Sequence, residues 1–166
     1  VSHANDLGHP MSRAAELLSV LMVAGFISRI LFGMLADRIG PVPTLLIGST
    51  CQAVMLLIFS MIESLSGLYI AAILFGLGFA GIMPCYPMIL RMWFPVSQIG
   101  WRIAAQYMFA ALGMAIGGWM AGQIYDLTGS YSASFLGGFA LNVMNFILIA
   151  GLYMRSKRIG GSLVAA

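Results

Sequence analysis

The sequence predicts an all-α membrane protein that crosses the bilayer five times, and three observations carry that expectation. Only 8% of its 166 residues are charged, against roughly 25% in an ordinary soluble domain. Hydrophobic residues make up 61% and the mean hydropathy is +0.98. Five apolar stretches also reach the length, about 20 residues, that a helix needs to cross a hydrocarbon core of about 30 Å. The composition excludes several other classes. Twenty Gly and 13 Met with 6 Pro and 2 Cys fit neither collagen, nor a disordered tail, nor a disulfide-stapled secreted scaffold.

The first span is expected over 14–36, closed by Asp37-Arg38-Ile39-Gly40-Pro41-Val42-Pro43, where a permissive Gly and two prolines interrupt the helical ladder. The second covers 44–62 and ends at the polar link Glu63-Ser64-Leu65-Ser66-Gly67. The third, 68–90, is followed by Phe94-Pro95-Val96-Ser97-Gln98. The fourth, 103–124, is separated by Asp126-Leu127-Thr128-Gly129-Ser130 from the fifth, 134–154. Residues 1–13 are expected to form an outer connector that follows a further helix, and 159–166 a cytoplasmic tail. The chain opens on Val1 and a polar VSHANDLGHP without signal-peptide regions, so it is expected to be part of a longer polypeptide.

The distribution of charge predicts the orientation. If the five spans alternate, Arg38, Arg91, Arg102, Arg155, Lys157 and Arg158 all fall on one side. The other side holds Arg13 with Asp6, Glu16, Glu63 and Asp126. Cytoplasmic connectors carry the excess of Lys and Arg, which places the C-terminus in the cytoplasm. Trp93 and Trp101 beside one connector and Tyr131 beside another suit headgroup level, although each alone reads equally as a loop or core aromatic. The net charge of +3 belongs to these connectors; no basic run interleaved with aromatics points to nucleic acid.

The most specific string is Gly33-Met34-Leu35-Ala36-Asp37-Arg38-Ile39-Gly40 at the end of the first span. Gly33 would let a neighbouring helix approach. Asp37 can receive hydrogen bonds at the membrane boundary, Arg38 faces anionic headgroups, and Gly40 permits a sharp turn. The plain alternative is an ordinary polar stop after a membrane helix. The string resembles the G-x-x-x-D-R-x-G signature of the major facilitator superfamily. The resemblance extends over the whole chain, whose spans and orientation match helices eight to twelve, a truncated C-terminal six-helix bundle. It implies an N-terminal part holding helices one to seven as partner. It also implies that Gly33, Asp37, Arg38 and Gly40, with Arg91 as a partner for Asp37, belong to a cytoplasmic gate between the two halves.

Arg29 lies eight residues before Asp37, about 12 Å in from the end of that helix. A cation at such depth costs about 2.5–3.5 kcal/mol on the lenient insertion scale and usually faces a bundle interior or wet cavity. The residue alone is read equally as a snorkelling side chain or a structural partner of another helix. In the monocarboxylate and oxalate/formate branches of the superfamily, an Arg on helix eight followed four residues later by Gly binds the substrate carboxylate. Arg29-Ile30-Leu31-Phe32-Gly33 is similar to that pattern. Two departures stand beside it: Gly25 occupies the place of an acidic residue of animal monocarboxylate carriers, and 103–124 lacks the Lys that oxalate carriers add.

Tyr86, Gln106 and Tyr107 could donate hydrogen bonds into a cavity, although for each singly a core or interfacial position is the plainer reading. Pro84 and Pro87 release backbone groups within the third span. Gly76, Gly78 and Gly81 on the third span, and Gly113, Gly117, Gly118 and Gly122 on the fourth, predict close helix approach. Gly76-Leu77-Gly78-Phe79-Ala80-Gly81 formally fits a dinucleotide fingerprint but has no preceding strand and no acidic residue about 20 positions later. Asn142 and Asn145 read as interhelical or peripheral contacts. His3, Asp6 and His9 have a metal-like spacing, but Gly8 and Pro10 make a flexible outer loop the better reading.

No catalytic set, metal site or cofactor is expected. The expected function is transport of a small organic anion, monocarboxylate-like, by alternating access, with Arg29 as the anion contact. Transport of a neutral or cationic solute, or a non-transporting scaffold of the same fold, are the alternatives. The expected location is the plasma membrane, by preference a bacterial inner membrane, as a multi-pass protein.

Overall fold

A computed structural model describes residue 8, residues 10–62 and residues 64–164, with side chains described as far as Met154 except at Ala14. His3, Asp6, His9 and most of the connector expected over 1–13 lie outside the described residues. Helices dominate, and no strand occurs among the described residues.

Helix α1 (Met11–Ile39) has 29 residues, about 43 Å at 1.5 Å per residue. It therefore exceeds the expected 14–36 at both ends and outreaches the hydrocarbon core. Gly40 breaks it with φ +92° and ψ 154° while its N–H still donates to the Ala36 carbonyl at 2.9 Å. This backbone geometry is essentially restricted to glycine. The two prolines then act against the sequence expectation: they open the next helix instead of ending the last. Pro41 occupies the first position of α2 (Pro41–Phe59), where the missing N–H would have had no partner in any case. Thr44 secures the turn by donating its hydroxyl to the Gly40 carbonyl at 2.8 Å. The connector is thus one residue long, and the second span lies three residues earlier than 44–62.

Ser64 caps α3 (Leu65–Gly81), its hydroxyl accepting from the Gly67 N–H at 3.3 Å. The apolar stretch 68–90 is not one helix. Pro84 and Pro87 cannot donate to the ladder, so the backbone passes through a turn at Ile82–Pro84 and restarts as α4 (Cys85–Trp93). A 3-10 turn (Val96–Gln98) leads to α5 (Ile99–Thr128), which ends on a left-handed Gly129 at φ +67°. Helix α6 (Ser132–Val164) continues past 154, so the described part of the segment read as a tail, 159–164, is helical. Among the described residues, five helical segments, counting α3 and α4 together, are long and apolar enough to cross a membrane.

Lipid offers no hydrophobic incentive for helices to associate, so close packing must supply it. Helix α1 packs chiefly on α3, and α2 packs on both α3 and α6. The α1–α3 seam depends on small residues. A Cβ at Gly76 would collide with the Leu21 backbone carbonyl, and one at Gly25 would stand 2.9 Å from the Ala80 Cβ. Two buried clusters close the ends. Ala36, Val42, Leu45, Ile82, Cys85 and Ile89 join the end of α1 to the start of α2 and to α4; Leu17, Leu68 and Ala72 join the opposite end of α1 to α3.

Helix α5 behaves otherwise. From Tyr107 to Met120 every residue but Ala110 is exposed, and Gly113, Gly117, Gly118 and Gly122 have nothing within 4 Å of an added Cβ. The close approach expected of these glycines is not made among the described residues.

Candidate functional site

The antiparallel course of the helices brings the end of α1, the end of α4 and the start of α5 to one end of the bundle. Asp37, Arg38 and Arg91 are all exposed there. No ion pair joins any of them among the described residues, so the structure does not bring Asp37 to Arg91. Gly33 has no neighbour within 4 Å of an added Cβ, so the helix approach expected there is not made among the described residues. Gly40 does make the sharp turn. Arg38 borders a groove of about 200 Å³ with Leu31, Met34 and Leu35. Arg102 lies at the same end, its guanidinium carbon 3.7 Å from the Phe94 ring centroid and 4.5 Å from that of Trp101. Its Nη2 donates to Gln98 Oε1 at 2.8 Å.

At the opposite end Arg13 pairs with Glu16 at 2.9 Å, and the Tyr69 hydroxyl donates to the same carboxylate oxygen at 2.7 Å. This contact clasps the start of α1 to the start of α3. Sequence reading did not single out Tyr69, because its pairing depends on which faces of two helices meet.

Arg29 is exposed on α1, one residue along from the fully buried Ser28, whose hydroxyl donates to the Gly25 carbonyl at 3.0 Å. Among the described residues it has neither a hydrogen bond nor an ion pair. A cation on an apolar helix, unneutralised among the described residues, is open to an anion from elsewhere.

An open cleft of about 510 Å³ lies between α2, α3, α4 and α5. It brings together Tyr86 and Gln106, two of the residues expected to face a cavity, and adds Gln52, Phe75, Phe79 and Phe109. Tyr107, 49% exposed, lies outside its lining, as does Arg29. At 1.5 Å per residue, Gln106 is about 10 Å along α5 from Ile99, and Arg29 about 12 Å from Asp37, so both stand at similar depth.

Gln52, only 8% exposed, was not singled out in the sequence. It is the end of a polar ladder through the α2–α6 seam: Ser49 donates its hydroxyl to Asn142 Oδ1 at 2.9 Å, and Asn142 Nδ2 donates to Gln52 Oε1 at 3.0 Å. The Tyr86 hydroxyl lies against the Asn145 side chain. Asn142 and Asn145 therefore make the interhelical contacts expected of them. The available signal for Gln52 was its place in an otherwise apolar span, three residues after Ser49 on one helical face.

Membrane-length helices packed through small residues, a one-residue turn at Gly40 and a cation without a described partner on an apolar helix define part of a polytopic helical membrane protein. The chain belongs to the major facilitator superfamily, whose sequence profile, the Major Facilitator Superfamily, matches residues 2–162. It is similar to monocarboxylate transporter 13 of Bos taurus, with 30% identity over 138 residues, covering 82% of this chain and 32% of the relative. The same protein of Rattus norvegicus is likewise 30% identical over 138 residues, with the same coverage. The chain thus spans about a third of the length of the curated relatives it matches.

Proposed function

We propose that the complete protein moves a small organic anion, monocarboxylate-like, across the plasma membrane by alternating access. In this reading α1–α6 supply helices eight to twelve, with α3 and α4 together as the broken helix ten, and the N-terminal half of the same protein supplies the facing wall. Broken helices at mid-membrane are a recurrent feature of transporters. The observation that carries the proposal is Arg29, an exposed cation on an apolar helix with no partner of its own among the described residues. A carboxylate meeting a guanidinium can take two parallel N–H···O bonds, which offsets the loss of water from both. The relatives carry monocarboxylate transport in their name, which agrees with that chemistry.

Asp37, Arg38 and Arg91 act in this reading as part of a cytoplasmic gate, pairing across to the other half in the state closed on that side. Tyr86, Gln106 and Tyr107 contribute hydrogen bonds to the solute path. Uptake of labelled lactate or pyruvate into proteoliposomes by the complete protein tests the assignment. Uptake is expected, with most of it lost in Arg29→Ala; undiminished uptake in that variant removes Arg29 from the anion site. For the gate, Asp37→Asn should shift the inward/outward population read by spin-label distances, and an unchanged distribution with an unchanged rate excludes it.

A further inference from the structure

We infer that the corner between α4 and α5 binds the phosphodiester headgroup of an anionic membrane lipid, with Arg102 as its ligand. Neither the solute path nor the gate proposed above uses Arg102, so the site stands apart from both.

Depth places the corner at the membrane surface. Helix α5 has 30 residues, about 45 Å at 1.5 Å per residue, so a hydrocarbon core of about 30 Å leaves about five residues outside it at each end. Arg102, the fourth residue of the helix, therefore stands at headgroup level. The corner also turns apolar groups outward: Met92, Trp93 and Trp101 are exposed, and Val96 is 88% exposed. In water such a set is unfavourable, whereas indole rings favour the membrane interface.

Arg102 is already arranged for an anion. Stacking on Phe94 and Trp101, with Nη2 donating to Gln98, restricts a long side chain that would otherwise lose rotamer freedom on binding. Its Nε is withdrawn from solvent without a partner. Among the described residues Nη1 donates to nothing and no carboxylate pairs with the guanidinium. The remaining edge can give two parallel N–H···O bonds to one phosphate. Gln98, engaged with Arg102, caps no backbone N–H of α5, and Gly100 is exposed with open space where a Cβ would stand. A phosphate can therefore approach the start of the helix as well.

Charge and position together favour a lipid over a soluble anion. Arg91 is exposed at the end of α4, which adds positive potential beside the corner. A lipid phosphate is confined to the level at which Arg102 stands, and its glycerol and upper acyl chain would cover Val96 and Trp101. A soluble phosphate would leave both bare.

The test replaces Val96 by photoreactive p-benzoylphenylalanine in the complete protein, held in nanodiscs of phosphatidylcholine with a minor share of phosphatidylglycerol. Phosphatidylglycerol is expected among the lipid adducts at about fivefold its share of the bilayer, the factor for one basic residue at the surface. Arg102→Gln should return it to that share. Arg102→Lys should fall between, because it keeps the charge but loses the planar fork and the stack. Arg13→Gln at the other end should change nothing, and added glycerol phosphate should not displace the lipid. Adducts at the bulk share in the unaltered corner, enrichment that survives Arg102→Gln, displacement by glycerol phosphate, or a crosslink to the N-terminal half of the protein in place of lipid overturns the proposal. Should Arg102→Gln fail to fold, the enrichment with Arg102 intact and in Arg102→Lys decides it. The readout is independent of solute uptake, so it stands or falls separately from the Arg29 assignment.

Discussion

Gly40 shows how much a single backbone conformation can determine. At φ +92° and ψ 154° it joins two membrane-length helices through one residue, and a side chain there is strained by about 1–3 kcal/mol. Gly40→Ala should lower the stability of the chain in detergent by that amount, read as a fall in the thermal midpoint by circular dichroism. The Asn142 ladder makes a second residue-level case. Asn142→Leu removes two hydrogen bonds and strands the Ser49 hydroxyl and the Gln52 carbonyl in apolar surroundings. Membrane-buried hydrogen bonds average about 0.6 kcal/mol each, so the loss should be about 1 kcal/mol. Pairing it with Gln52→Leu should recover part of that loss, because the stranded carbonyl is then removed as well. Additive losses in the double variant would show that the ladder does not couple α2 to α6.

At the level of elements, apolar length made all five membrane-length segments legible, and the two glycine turns at Gly40 and Gly129 lie where the connectors were expected. The break at Ile82–Pro84 was less legible, since hydropathy is blind to a missing N–H; Pro84 and Pro87 were the signal. The convergence of Tyr86 and Gln106 with Gln52 was legible only in part. Which faces of three helices meet depends on their mutual rotation, and a run of apolar residues has no marked face. For the same reason the glycines divide in a way that spacing alone could not show. Gly76 meets the Leu21 backbone, whereas Gly117 meets nothing in this chain. Gly76→Val should therefore force α1 from α3 and cost about 1–3 kcal/mol, the usual penalty of overpacking. Gly117→Val should leave the thermal midpoint of this chain unchanged. Equal destabilisation by both would show that α5 packs on its own chain's helices after all.

Over the whole molecule, the sparse charges act together through their placement. Arg38, Arg91 and Arg102 gather at the end where α1 and α4 finish and α5 begins, accompanied by Asp37 alone among the acids described there. At the other end Arg13 is neutralised by Glu16, and Asp126 adds an acid. Short connectors rich in Lys and Arg stay in the cytoplasm because translocating them is unfavourable. The end that carries Ser97 should therefore be cytoplasmic, and the end that carries Ser130 should face outward. Both serines are exposed in short connectors, so a cysteine at either will meet reagent from its own side. Of the native thiols, Cys85 is buried and Cys51 half-buried, both within apolar helices, which shields them from an impermeant maleimide. Ser130→Cys should label in intact cells, and Ser97→Cys only after permeabilisation. The reverse pattern would invert the orientation. It would also place Asp37, Arg38 and Arg91 on the outer face, so the proposed cytoplasmic gate would fall with it.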